Sequence, residues 1–416
     1  MMMKYLSLGL LALCACAHAW ENINPPGLLP TEIARPLLEQ DPSVAAARAG
    51  LEVAFRKAGL LDGSPYEWTA RAGTQERELA NGPHYGEWSV GIERTLRLPG
   101  KATADRNLGK TTIEASEAAY GEALHESARH LIALWLDWQA AEHASALTAD
   151  NLKTVEDSLA AVEKRVRAGD AATLDANIGK AEMAEQKRQH NDALTQASSA
   201  WARLSTRYPG INRQVMTLAN PVPLDDDVES LRNRILAQSD ELKIVESALN
   251  LSQFQAARAD AERIPDPTVA VHAGWESAGR ERVAGISLSI PLPGSARTQN
   301  HERALAAMQV SLQDLELKKR ELDAEIAAAI ATARGAYESV RLAQAGAQAA
   351  RNNASLMQRA YSLGEAELQT LLLTRRQETT AKSAVLVAQV TAVKVYFGLM
   401  LDAHLIWDLE HEQAQE

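Results

Sequence analysis

The chain has 416 residues, a formal net charge of -11, 46% hydrophobic residues and only 5% aromatic ones. That apolar fraction argues against disorder, and the acidic balance argues against a nucleic-acid binder, which needs a basic face. With only three Phe, the core is left to Ala, Leu and Val, which suit helices packed closely side by side.

The first nineteen residues read as an export signal. Lys4 supplies the positive end, Tyr5 to Ala17 the apolar run, and Ala17-His18-Ala19 a small-x-small cleavage site, so the mature chain is expected to begin at Trp20. The alternative takes Leu13-Cys14-Ala15-Cys16 as a lipid-attachment box with Cys16 acylated, although cysteine is unusual at its middle position. Cys14 and Cys16 are the only cysteines, so no thiol remains downstream for a disulfide, a metal site or a nucleophile. Beyond the signal no run reaches the roughly 18 to 20 apolar residues of a spanning helix.

An internal repeat governs the rest of the chain. Gly91-Ile92 and Leu98-Pro99-Gly100 recur as Gly285-Ile286 and Leu292-Pro293-Gly294, all at an offset of 194. Ala72-Gly73 returns as Ala273-Gly274, the stretch Leu38 to Val44 resembles Leu236 to Leu242, and Arg167 to Ala171 is echoed by Ser362 to Ala366. The expected organisation is a signal peptide (1–19), a first repeat (20–208), a connecting segment (209–227), a second repeat (228–405) and an acidic tail (406–416).

Each repeat opens with a helix, about Glu32 to Leu61 and Val228 to Ile264, followed by a strand pair in 65–96 or 267–290. Tyr66, Trp68, Ala70 and Ala72 alternate with Glu67, Thr69 and Arg71; Trp88, Val90 and Ile92 alternate with Glu87, Ser89 and Glu93. Val269, Val271, Ala273 and Trp275, then Ala284, Ile286, Leu288 and Ile290, repeat the pattern. Period-two alternation gives strands with one apolar face, each near the roughly 9 to 11 residues that a tilted strand needs to cross a bilayer. Tyr66, Trp68, Tyr85, Trp88 and Trp275 suit an aromatic girdle at the bilayer interface.

A long helical hairpin follows each strand pair, over 101–208 and 295–405. Lys101 to Arg167 and Ser295 to Leu363 contain no proline, and at about 1.5 Å per residue each tract reaches roughly 100 Å. Leu152, Val155, Leu159, Val162 and Val166 form a heptad seam, and Leu312, Leu315, Leu322 and Ile326 another with Lys319 in one apolar place. Gly169 and Gly364 stand where the helices turn back. Four strands per chain cannot stand alone in lipid, because their open edges would leave backbone groups unpaired; three copies would give an even-numbered barrel of twelve.

The order of elements, the duplication and the segments Pro265-Asp266-Pro267-Thr268-Val269 and Arg282 to Pro293 resemble the TolC-like outer-membrane efflux family. Within it the chain is most similar to the outer-membrane component of cobalt-zinc-cadmium type cation efflux systems. The resemblance implies a mainly α protein with a membrane β-barrel: a homotrimer with a twelve-stranded barrel in outer-membrane lipid and a helical tunnel through the periplasm. A periplasmic membrane-fusion adaptor would join that duct to an inner-membrane RND-type pump. It implies no enzyme activity, cofactor or nucleic-acid partner. Cargo is left open between divalent cations, organic compounds and proteins, and a pore-less periplasmic adaptor stands as the remaining alternative.

In this family the hairpin tips meet the adaptor, which here implies Arg165, Arg167, Gly169, Asp170 and Leu174 in the first repeat. In the second it implies Arg359, Tyr361, Leu363, Gly364, Glu365 and Leu368. Asp175 occupies the place of the family's periplasmic acidic gate, whereas the second repeat departs from it with Thr370. The bland reading of Arg165, Asp170 and Glu365 is that they solvate helix ends. Elsewhere, His125 and His130 are five apart on a helix and cannot share a metal as an i, i+4 pair could. His272 falls on the polar strand face, where it lines a lumen or meets a passing cation. Trp135, Trp138 and Trp201 read as helix packing. No nucleophile triad, phosphate loop or metal-ligand cluster appears.

Overall fold

The computed structural model describes residues 25–407 and 409, apart from 79, 81, 225 and 226. The readings at Ala19 and Cys16 lie outside these residues. In chain order come α1 (Thr31–Glu39), α2 (Pro42–Asp62), β1 (Thr69–Glu78), β2 (His84–Thr95), α3 (Pro99–Ala168) and α4 (Thr173–Arg207). The second set is α5 (Val228–Gln238), α6 (Asp240–Ala261), β3 (Thr268–Glu276), β4 (Glu281–Ser289), α7 (Ser295–Ser362) and α8 (Leu368–Asp402). Each set is two short helices, a strand hairpin and a long helical hairpin.

The opening helices expected over 32–61 and 228–264 are each broken in two. Asp41 caps α2 by accepting the Ser43 N–H at 2.8 Å, with Pro42 in the first turn, where its missing N–H costs nothing. Ser239 Oγ accepts the Leu242 N–H at 3.2 Å and starts α6. The two breaks fall in the mirrored stretches Leu38 to Val44 and Leu236 to Leu242.

The strands form one antiparallel sheet in the order β1-β2-β3-β4. The long helices enter from it through Pro99 and Ser295 and pack as hairpins, α4 along α3 and α8 along α7, with α2 and α6 laid on α3 and α6 also on α7. Val155, Leu159 and Val162 of the predicted seam are buried, as are Leu315, Leu322 and Ile326, whereas Leu312 is exposed. α8 is long and apolar enough to cross a bilayer, contrary to the reading of the sequence, but it lies along α7 and α3 and is partly buried against them.

The main core gathers midway along the helices around Trp135, Trp138, Leu204, Tyr208 and Leu401. Trp135 donates to Gly27 O at 2.9 Å. The segment after α4 runs along α3, where Gln139 brackets it by donating to Gln214 O at 3.0 Å and accepting the Met216 N–H at 2.9 Å. Of the acidic tail expected over 406–416, Ile406, Trp407 and Leu409 are described; all three are buried, and Trp407 donates to Leu29 O at 2.7 Å.

Candidate functional site

In antiparallel pairing, directly opposed residues point to the same face. One face of the sheet therefore carries Ala70, Ile92, Val271 and Ile286 in one row and Ala72, Val90, Ala273 and Ala284 in the next. Its outer row holds Trp88 opposite Trp275, with rings stacked 4.0 Å apart. Trp68 extends the same face near the helices, with the Arg94 guanidinium 5.3 Å from its ring centroid. Val90, Ile92, Val271, Ile286 and Leu288 are all exposed in the chain by itself.

The other face is polar. Arg71 pairs with Glu93 at 2.6 Å, and the buried Glu87 accepts from Gln75 at 2.7 Å and pairs with Arg77 at 2.8 Å. His272 belongs to this face and lies over Gly285, whose absent side chain leaves the room: a Cβ there would sit 2.8 Å from the imidazole.

Two girdle residues read from the sequence do not join it. Tyr85 stands opposite Arg77 on the polar face, because it is three residues from Trp88 and the period is two. Tyr66 precedes β1, and its hydroxyl donates to Asp266 at 2.7 Å.

That bond is part of a charged junction between strands and helices. Asp266 also accepts the Leu98 N–H at 3.0 Å and pairs at 3.0 Å with Lys101, which is fully buried. Arg97 reaches Asp105 at 3.0 Å and Arg258 reaches it at 2.6 Å, while Arg258 and Glu262 pair one turn apart. Burial would raise the Asp266 carboxyl, but its bonds from Tyr66, Leu98 and Lys101 hold it below its ordinary value.

At the opposite end the two tips share one geometry. Gly169 is left-handed at φ 84° and Gly364 at φ 79°. Asp170 N–H donates to Arg165 O at 2.8 Å, and Glu365 N–H donates to Ala360 O at 2.9 Å, the six-to-one bond of a glycine-terminated helix. Leu174 and Leu363 project into solvent at 66% and 68% exposure. Arg167, Asp170, Arg359 and Glu365 are exposed beside them. Leu368 is different. It is buried with Val162, Ala176, Leu371 and Leu372 in a small core that ties the hairpins together, and Tyr361 packs on that core beneath Arg165. Leu368 is therefore unavailable to a partner. Asp175 is half-buried in the first turn of α4, and Thr370 is exposed.

Sequence reasoning missed a polar link between the hairpins just above this core. Asn151 donates to Gln186 at 2.6 Å, Gln186 donates to Glu182 at 2.9 Å, Arg376 pairs with the buried Glu182, and Arg375 donates to Ser158 at 2.6 Å. Its signal was present as polar residues at helical spacing, Asn151 with Ser158 and Glu182 with Gln186, on faces that should be apolar. His125 and His130 stay apart in role: His125 is buried with Nε2 3.1 Å from Leu401 O, and His130 is exposed near Glu126. Among the described residues no group of three His, Cys, Asp or Glu is arranged to hold a metal.

A duplicated strand hairpin with one apolar face, continued by helical hairpins that end in matched glycine turns, is the architecture of an outer-membrane channel subunit. The chain matches the outer membrane efflux protein family over residues 34–207 and 231–393, and it belongs to that family. Comparison with curated protein sequences gives no significant match. Three solved channels share the fold at low identity. The Campylobacter jejuni CmeC outer membrane channel has TM-score 0.74 and 15% identity, covering 92% of this chain and 86% of CmeC. The open state of the Neisseria gonorrhoeae MtrE channel has TM-score 0.72 and 18% identity, covering 92% and 90%. CusC, described for conformational changes accompanying folding and transmembrane channel formation, has TM-score 0.72 and 14% identity, covering 92% and 97%.

Proposed function

We propose that this family member is the outer-membrane exit duct of a tripartite efflux system. Three copies pool four strands each into a twelve-stranded barrel, and their helical hairpins continue it as a periplasmic tunnel. The observation that carries this reading is the sheet, apolar on one face and polar on the other, with the outer edges of β1 and β4 unpaired among the described residues. In lipid such edges must close on further strands. The polar face then lines the pore, and Trp68, Trp88 and Trp275 face lipid. The exposed tips, with Arg165, Arg167, Asp170, Leu174, Arg359, Leu363 and Glu365 around Gly169 and Gly364, dock a periplasmic adaptor bound to an RND-type pump. Asp175 stands at the mouth as an acidic gate. Nothing in this mechanism makes or breaks bonds; the pump supplies the work.

The cargo we favour is divalent heavy-metal cations. Support comes from the resemblance of the segments Pro265 to Val269 and Arg282 to Pro293 to cation-efflux components. Deleting the gene and re-expressing the chain tests both levels. Outer-membrane fractionation with conductance in planar bilayers tests the duct. Tolerance to zinc, cobalt and cadmium against tolerance to organic toxicants tests the cargo, and sensitivity to organic toxicants alone would reject the cation reading.

A further inference from the structure

α8 carries two neighbouring arginines where it lies against the first hairpin, and they are satisfied differently. Arg376 pairs with the buried Glu182 of α4. Arg375 is half-buried and donates to Ser158 Oγ of α3 at 2.6 Å and to Gln358 Oε1 of α7, both neutral. Among the described residues it forms no ion pair, and Glu378 one turn along is held by Lys382 at 2.6 Å. Burial keeps the Arg375 guanidinium below its ordinary value, which Glu378 offsets only in part. The group stays charged all the same, so a cation withdrawn from water lacks a counter-charge.

Beside it lies a cavity of about 370 Å³, bounded by α3 of one hairpin and by α7 and α8 of the other. Its charged lining is Arg351, Arg375 and Lys382 against Asp150 and Glu378. With Glu378 and Lys382 paired, two arginines stand against Asp150, which leaves one positive charge in excess. Arg351 is exposed and, like Arg375, forms no ion pair among the described residues. The Gln358 amide accepts from Arg375 through its oxygen, which leaves its N–H groups without a partner among the described residues. A water molecule takes about 30 Å³ of liquid volume, so the space admits an oxyanion with part of its hydration shell.

We propose that this cavity is a binding site for a small oxyanion, of the class of inorganic phosphate, sulfate or a short carboxylate. The anion bridges Arg375 and Arg351, whose planar donor forks match paired oxygens, with Gln358 donating beside them. A divalent cation fits the site poorly, because the lining carries excess positive charge. Filled, the cavity joins α3 of the first hairpin to α7 and α8 of the second, next to the Glu182–Arg376 link, and supplies the counter-charge that Arg375 lacks. It lies within one chain and does not depend on closure of a barrel.

Titrating inorganic phosphate into the full chain in detergent, with ionic strength held constant by sodium chloride, tests the site. Phosphate also stabilises folds in general through its exclusion from protein surfaces, so the quantity to read is the saturable part of the rise in melting temperature. The unsubstituted chain should show that saturable rise. Arg375→Gln and Arg351→Gln should each weaken the apparent phosphate affinity about tenfold or more, the loss of a charged hydrogen bond. Arg334→Gln, an exposed arginine of α7 outside the cavity, should leave the affinity unchanged. Because Arg351 is exposed, its variant folds even if Arg375→Gln, which gives up the bond to Ser158, does not. Amide hydrogen exchange should slow on phosphate addition around 147–158, 351–358 and 375–382. No saturable rise in the unsubstituted chain, an unchanged affinity in Arg351→Gln, or protection elsewhere in place of these segments would overturn the site and leave the duct standing.

Discussion

Two Leu-Pro-Gly junctions turn strand into helix at matching places, and they are fixed by different forces. At Leu98-Pro99-Gly100, Asp266 collects the Leu98 N–H, the Tyr66 hydroxyl and the buried Lys101 ammonium. At Leu292-Pro293-Gly294, Leu292 is 93% exposed, Ser295 stands in the place of Lys101, and the charge nearby, Arg297 paired with Glu262 at 3.1 Å, is only partly buried. Where one chain supplies both sides of the junction, the chain closes it with charge. In the proposed trimer another copy would supply one side of the second junction, and with Arg297 and Glu262 only partly buried in the single chain, no fully buried ion waits for its partner.

The largest effect should come from breaking the closed junction. Lys101→Met leaves Asp266 buried without its cation, and losing one partner of a buried pair costs about 3–5 kcal/mol. Ser295→Ala, at the copied place, should cost about 0.5 kcal/mol or less. Thermal unfolding in detergent measures both, and equal losses would erase the contrast between the junctions.

The tips sharpen the comparison from the other end. Gly364→Val forces a β-branched residue into a left-handed conformation, costing about 1–3 kcal/mol, and the damage should stay local. Oligomer yield and membrane insertion should survive while adaptor cross-linking and cation tolerance fall. Leu363→Asp alters an exposed side chain, so stability should change by about 0.5 kcal/mol or less while adaptor cross-linking again falls. Unchanged cross-linking in both variants would remove the docking role; a lost oligomer would make the tips folding elements.

The smallest effect concerns the middle of the bundle, where the repeats meet around a cavity of about 150 Å³ lined by Glu122, His125, Arg129, Asp402 and His404. Burial, with Glu241, Asp240 and Glu126 nearby and Arg129 opposing, pushes the Glu122 carboxyl up to about 7. Burial, reinforced by Arg129, pushes the His125 imidazole down to about 4. From pH 7 to about 4.5 the folded chain holds the extra proton at Glu122, so acidification stabilises. From about 6.5 to 4 the unfolded chain holds the extra proton at His125, so acidification destabilises. The two slopes oppose each other in the shared window. Glu122→Gln should therefore make melting temperature fall between pH 6.5 and 4.5, and His125→Gln should make it rise. The same slope in both variants would dismiss this account.

The repeat and the faces of the strands were legible because both rest on short-range spacing: identical Gly-Ile and Leu-Pro-Gly signatures and a strict alternation through Val269 to Trp275. The helix breaks were written as Asp41-Pro42-Ser43 and Ser239, capping signals that the apolar periodicity of the flanking residues overrode. Tyr66 and Tyr85 misled because aromatic content was read without strand boundaries and parity. Leu368 was misplaced, and the Glu182–Arg376 link missed, for a shared reason. Both depend on how two hairpins nearly 200 residues apart lie against one another, and no local pattern encodes that.

The central claim is that this chain is a third of a closed barrel. Native mass spectrometry of the protein extracted from outer membranes in mild detergent tests it most directly. The account predicts a complex of three chains; a stable membrane-inserted single chain, or a complex of another size, would contradict it.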